Sequence, residues 1–128
     1  MTLYLDLDGF LVLAEITLGR PPDIRDIGLL HSALARPAAS AFGADAYPDL
    51  ATKAGALLQS LACNHALLDG NKRCAWVATR TFARLNGYDL VLAQDDAYQL
   101  VMGVATAQLR EVAKIAKIIT QGLIETPT

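Results

Sequence analysis

The chain has 128 residues, one domain's worth, and its 53% hydrophobic content and mean hydropathy of +0.31 call for a packed core and exclude a disordered chain. Its net charge of -2 and pI of about 5.5 supply no basic face of the kind that nucleic-acid binding needs, and its apolar stretches fall far short of the roughly 20 residues of a membrane span. Met1-Thr2-Leu3-Tyr4 shows no basic segment followed by an apolar one, so no secretion signal is read and a cytoplasmic location is expected, with neither nucleic acid nor membrane as a partner.

Leu3 to Leu5 reads as a short extended piece. Asp6 is placed to cap a helix that carries Leu7, Phe10, Leu11, Ala14 and Leu18 at helical spacing. Gly19-Arg20-Pro21-Pro22-Asp23 has no regular option and is a loop. Asp26 caps a second helix through Leu29, Leu30, Ala33 and Leu34, which Arg36-Pro37 ends. Ala38 to Pro48 is rich in small residues and reads as an ordered loop with at most a helical turn. From Asp49 the pattern is helical again, and Leu50, Ala54, Leu57, Leu58 and Leu61 form a stripe that stops near Asn64-His65. A short loop, Leu67 to Gly70, precedes a helix that starts near Asn71 and runs through Trp76, Phe82 and Leu85 to Asn86-Gly87, residues that tolerate a left-handed backbone. Tyr88 to Leu92 alternates enough for a short strand. Asp95-Asp96 is placed to cap a helix carrying Ala97, Leu100, Val101, Val104 and Ala105. The last helix carries Leu109, Val112, Ala116, Ile119 and Leu123, and Thr126-Pro127-Thr128 reads as a frayed end. The expectation is a single domain over residues 1–128, an all-α compact bundle of about six helices with minimal β content. Cys63 and Cys74 lack metal-type spacing and lie among apolar neighbours, as buried free thiols of a reducing compartment do.

One segment breaks the ordinary pattern of a helical domain. His65-Ala66-Leu67-Leu68-Asp69-Gly70-Asn71-Lys72-Arg73 joins two apolar helices and crowds five kinds of polar side chain into nine residues. The first N–H groups of a helix beginning at Asn71 have no partner within it and carry the positive end of its dipole, which makes an anion site. Gly70 lets the backbone turn and approach a ligand. Lys72 and Arg73 add positive charge, and an arginine can grip two phosphate oxygens. Cations in a first helical turn oppose the dipole unless an anion binds there, so their placement is itself a physical hint of function. Asp69 is the single acid beside this site and suits Mg2+, which takes one or two carboxylates plus phosphate oxygens. His65 lies across the loop, and an imidazole suits a general base near neutral pH. Base, metal ligand and phosphate clamp are the parts of a phosphoryl-transfer site. The blander reading makes His65 a helix C-cap, Asp69 or Asn71 an N-cap, and Lys72 and Arg73 solvated surface charges.

The same string closely resembles the signature of the Fic/Doc superfamily, His-x-Phe-x-Asp/Glu-x-Asn-x-Arg. With Asn71-Lys72-Arg73 it looks like the Doc branch, the toxins of bacterial toxin–antitoxin pairs. Asp26-Ile27-Gly28-Leu29-Leu30 and Ser32-Ala33-Leu34-Ala35-Arg36-Pro37 also look like the upstream part of Doc proteins, so the likeness covers nearly the whole chain. The resemblance implies a Fic/Doc-type helical bundle. It implies that His65 is the base toward a target hydroxyl and that Asp69 binds Mg2+. Gly70, Asn71, Lys72 and Arg73, with loop amides, would hold the phosphates of ATP. A lysine at position 72 implies transfer of the γ-phosphate, where a glycine goes with transfer of AMP. The implied activity is a protein kinase acting on a threonine hydroxyl, with elongation factor Tu as substrate and arrested translation as the result. The implied partner is a cognate antitoxin that lays a C-terminal helical segment in a groove near the site. Two positions depart from the signature as commonly found: Leu67 stands where Phe is usual, and Ala66 where many Fic proteins have Pro.

Other residues have quieter roles. His31 reads as structural or surface, Trp76 as core with a base-flanking role as the alternative, and Arg80 and Arg84 as solvated. The competing functions are a Fic-type AMP transferase, a catalytically weak module that binds an antitoxin or other protein, and a phosphate-binding hydrolase that activates water. Mass gain on a target separates phosphate from AMP, and a His65 variant separates the enzymes from the binding module.

Overall fold

Three aspartates start helices as their spacing predicts. In the computed structural model, which describes residues 1–127, Asp6 accepts the Gly9 N–H at the start of α1 (Leu7–Leu18) and Asp26 accepts the Leu29 N–H at the start of α2 (Ile27–Ala35). Asp49 and Thr52 cap α3 (Leu50–Cys63) reciprocally. Three more helices follow: α4 (Asn71–Leu85), α5 (Gln94–Ala105) and α6 (Val112–Gly122).

Nine of the 14 residues of α3 are buried, so it forms the centre of the bundle, packed chiefly between α4 and α6. Gly55 permits that closeness, because a Cβ there would stand 3.3 Å from Ile115 Cγ2 and 3.4 Å from the Val112 carbonyl. Phe10, Leu30, Leu57, Leu58, Phe82, Ile115 and Ile119 fill the core between the helices. None of the described helices is long and apolar enough to cross a membrane.

The expected six helices are present, and the strand content exceeds the expectation. Ala38 to Pro48 holds neither a plain loop nor a helical turn alone: after a 3-10 turn at Arg36–Ala38 it forms a hairpin of β1 (Ser40–Ala41) and β2 (Ala44–Asp45). Phe42 and Gly43 both take positive φ at its tip, the backbone that a two-residue hairpin turn requires. Buried Lys53 of α3 holds the hairpin by reaching Asp45 at 3.1 Å.

The chain end also departs from expectation. Helix α6 stops at Gly122, and Leu123–Glu125 becomes β4, antiparallel to β3 (Tyr88–Leu90). A Cβ at position 122 would sit 2.7 Å from the Val91 carbonyl, so glycine is what lets the backbone turn into the sheet there. Thr126, expected to fray, donates its N–H and its hydroxyl to the Gly87 carbonyl, while Thr128 lies outside the described residues. Leu3 joins no strand, and the Asn86 carboxamide pins its N–H and carbonyl at 2.8 Å each. Asp95 and Asp96 do not cap α5. Its N-cap is Ala93, and the two acids lie within the first turn, where they suit the helix dipole.

Candidate active site

His65 follows the end of α3 with a φ of 51°, a left-handed backbone that costs most non-glycine residues about 1–2 kcal/mol and that histidine visits more often than most. Arg25 holds it there. The guanidinium donates through Nε to the His65 carbonyl at 2.6 Å and through Nη2 to the Asn64 carbonyl at 3.2 Å, at the negative end of α3. The rest of the segment straps the loop. Arg25 and Asp26 both donate their N–H to the Ala66 carbonyl, Leu68 donates to the Asp23 carbonyl, and Ile24 bridges Leu67. From below, Ala66 and Leu67 are buried in the core, so Leu67 fills the aromatic position of the signature as an anchor.

Asn71 closes the other side of the loop. Its carboxamide oxygen accepts the Leu67 N–H at 3.0 Å and its amide nitrogen donates to the Leu67 carbonyl at 2.8 Å. Both ends of this side chain are therefore spent on the loop, which leaves its backbone N–H to face outward. Gly70 is the N-cap of α4 with a φ of 84°, and a Cβ there would fall 2.5 Å from Leu18 Cδ2. No side chain caps α4, so the first N–H groups, from Asn71 to Arg73, have no intrahelical acceptor.

A cavity of about 300 Å³ opens onto this helix start, and its wall contains His65, Asp69, Gly70, Asn71 and Lys72, with Met102, Ala105 and Thr106 from the end of α5 opposite. Five of the six expected site residues thus meet at one cavity. Arg73 faces instead a neighbouring cavity of about 550 Å³, which it lines together with Lys72.

The Asp69 side chain is 71% exposed and lies 3.4 Å from Arg20 Nη2, which also holds Asp23 at 3.2 Å. Exposed pairs of this kind contribute about 0–1 kcal/mol, so Asp69 remains free to take another cation. Among the described residues no three His, Cys, Asp or Glu side chains gather as a metal cage. A lone exposed carboxylate beside an anion site fits Mg2+, which keeps waters and takes further ligands from phosphates.

Most other singled-out side chains sit as expected, while Trp76 and Cys63 are less buried than expected. Trp76 packs against the core on one side and is half-buried, with its other side on the larger cavity. Arg84 is exposed and pairs with Asp89 at 2.6 Å, while Arg80 donates to the Leu90 carbonyl at 3.2 Å. His31 is exposed. Cys74 is buried and Cys63 half-buried, both as free thiols, and burial pushes each thiol above its ordinary range, which makes them poor nucleophiles. Arg20 and Arg25 were not expected at the site. They lie in or beside a proline-rich loop, and nothing local marks a side chain whose site partner is 40 or 49 residues away.

The family model described as Fic/DOC family matches residues 4–83, from before α1 to near the end of α4. A protein described as Toxin Doc, from Mycolicibacterium smegmatis (strain ATCC 700084 / mc(2)155), is 52% identical over 108 residues, 83% of this chain and 83% of that protein.

Proposed function

This chain belongs to the Fic/DOC family, and we propose that it is the toxin of a toxin–antitoxin pair, a cytoplasmic protein kinase that uses ATP and Mg2+ to phosphorylate a threonine hydroxyl of a translation factor, elongation factor Tu. The observation that carries this reading is one cavity shared by an exposed histidine and an uncapped helix N-terminus.

Each residue then has a task. His65 withdraws the proton of the target hydroxyl as its oxygen bonds to the γ-phosphorus of ATP. The bond from that phosphorus to the β–γ bridging oxygen breaks, and ADP leaves with the electron pair. The N–H groups from Asn71 to Arg73 and the ammonium of Lys72 hold the phosphoryl oxygens as charge spreads over them. Gly70 keeps the approach open, and Asn71 fixes the loop on which His65 stands. Asp69 is the residue to hold Mg2+, which neutralises phosphate charge when bound. Lys72 supports phosphate rather than AMP transfer, since its long cationic chain occupies space that the glycine of the Fic signature leaves open.

An apolar groove beside the strapping loop supports the reading that an antitoxin lays a helical segment there. A cavity of about 320 Å³ lies between α1 and the strapping loop, lined by Leu11, Val12, Pro21, Pro22 and Ile24 with the acid Glu15 beside them. Such apolar anchors suit helix-in-groove binding.

The direct test of the substrate is the intact mass of purified elongation factor Tu after incubation with this protein, ATP and Mg2+. One added phosphate is expected. One added AMP would move the protein to the AMP-transferring reading, and an unmodified factor would remove elongation factor Tu as the target.

Arg25 offers a second test. Arg25→Ala removes both bonds to the carbonyls that set the His65 backbone, and misplacing a base by a fraction of an ångström costs on the order of tenfold or more in rate. We expect kcat to fall about tenfold with KM for ATP little changed. Denaturant titration should show a stability loss of only about 1 kcal/mol, the scale of hydrogen bonds at an exposed site. A KM rise at constant kcat would show that Arg25 serves nucleotide binding instead.

A further inference from the structure

Thr106 stands in the wall of the cavity of about 300 Å³ together with His65, Asp69 and Lys72, and among the described residues that line this cavity it carries the single hydroxyl. It is the exposed C-cap of α5. Its hydroxyl donates to the Met102 carbonyl at 2.8 Å, one turn back. A hydroxyl has one hydrogen and two lone pairs, so this bond turns the hydrogen toward the helix and the lone pairs away from it. The backbone here is held firmly. The Thr106 N–H donates to the Met102 carbonyl and the Ala107 N–H to the Val104 carbonyl. Ala107 takes a φ of 63°, a left-handed backbone unfavourable for alanine, and Arg110 Nε donates to its carbonyl at 2.6 Å. A clasped helix end thus presents a threonine hydroxyl to the cavity that contains the base and the phosphate site.

We propose that Thr106 is a self-phosphorylation site: within one molecule the γ-phosphate of ATP passes to the Thr106 hydroxyl, and the phosphothreonine then occupies the phosphate site and stops further transfer. This rests on the phosphate-transfer reading of the cavity. Thr106 Oγ1 bonds to the γ-phosphorus, the bond from that phosphorus to the β–γ bridging oxygen breaks, ADP leaves with the electron pair, and His65 takes the hydroxyl proton. The new phosphate lies at the C-terminal end of α5, whose last carbonyls repel it. Across the cavity stand groups of the opposite sign, the uncapped N–H groups at the start of α4 and the Lys72 ammonium. These are the groups that hold the phosphates of ATP, so the modification closes the site from within. Thr17, Thr81 and Thr120 donate to carbonyls of their own helices just as Thr106 does, yet none lines this cavity, so the choice of Thr106 is one of place.

The experiment incubates the full chain with Mg·ATP and no target, at a range of protein concentrations, and follows intact mass and peptide mapping. One phosphate should appear on Thr106, with a half-time independent of protein concentration. His65→Asn should gain none. Neither should Thr106→Val, which keeps the side-chain shape without the hydroxyl and is checked for folding by thermal denaturation. By calorimetry, the phosphorylated chain should bind Mg·tripolyphosphate about tenfold or more weakly than the unmodified chain. Phosphate on another residue, or a half-time that shortens as protein concentration rises, overturns transfer within one molecule. Unchanged tripolyphosphate affinity overturns the closing of the site. The same preparation is also given γ-labelled ATP in a bacterial extract. Labelled extract protein with Thr106 unmodified overturns the self-phosphorylation alone, whereas no label anywhere strikes the phosphate-transfer reading and this inference with it.

Discussion

His65→Asn should lower phosphoryl transfer by about 10²- to 10⁴-fold, the usual contribution of a positioned general base, while leaving the protein folded. The choice of asparagine follows from the backbone. Position 65 has a φ of 51°, a conformation that asparagine adopts readily and alanine does not. His65→Ala should therefore lose the same activity and, in addition, about 1 kcal/mol of stability. Single-turnover rates and thermal denaturation of the two variants separate base from backbone. Transfer that survives in His65→Asn would remove the histidine from the chemistry.

Asn71 should show an effect of similar size by a different route. Its carboxamide satisfies both the N–H and the carbonyl of Leu67, so Asn71→Ala leaves two partly buried backbone groups unpaired. Each such group costs about 1–3 kcal/mol, and the loop under His65 loses its clasp. Asn71→Asp is the sharper variant. It still accepts the Leu67 N–H, and an acid in the first turn of α4 favours the helix dipole, but its second oxygen faces the Leu67 carbonyl that the amide served, so stability should fall by about 1–3 kcal/mol, less than in Asn71→Ala. The same carboxylate repels phosphate, so ATP binding should drop below detection. Denaturant titration beside calorimetry checks both halves. Tight ATP binding by Asn71→Asp would mean that the phosphates do not lie at this helix start.

The helices were legible because each carries its own signal. Asp6, Asp26 and Asp49 announce caps, and apolar residues recur at helical spacing behind them. The hairpin was not legible, since its flanks are small residues and its turn is Phe42-Gly43 rather than an asparagine–glycine or aspartate–glycine pair. Strand β4 was hidden because Leu123 continues the stripe of α6, and the chain turns there through pairing with β3, where the Gly122 carbonyl accepts the Val91 N–H and no Cβ fits at position 122. At the site, residues close in sequence were legible as a group because helix-start physics makes sense of them together. The double clasp of Asn71 on Leu67 and the supports from Arg20 and Arg25 were not, because they depend on where the chain returns.

The most direct test of the whole account needs no named target. ATP labelled at the γ-phosphate or at the α-phosphate is added with Mg2+ to a bacterial extract containing this protein or His65→Asn. The account predicts that γ-label enters protein, that α-label does not, and that the variant transfers neither. Protein labelled from the α-phosphate, or equal γ-labelling by the variant, would contradict it.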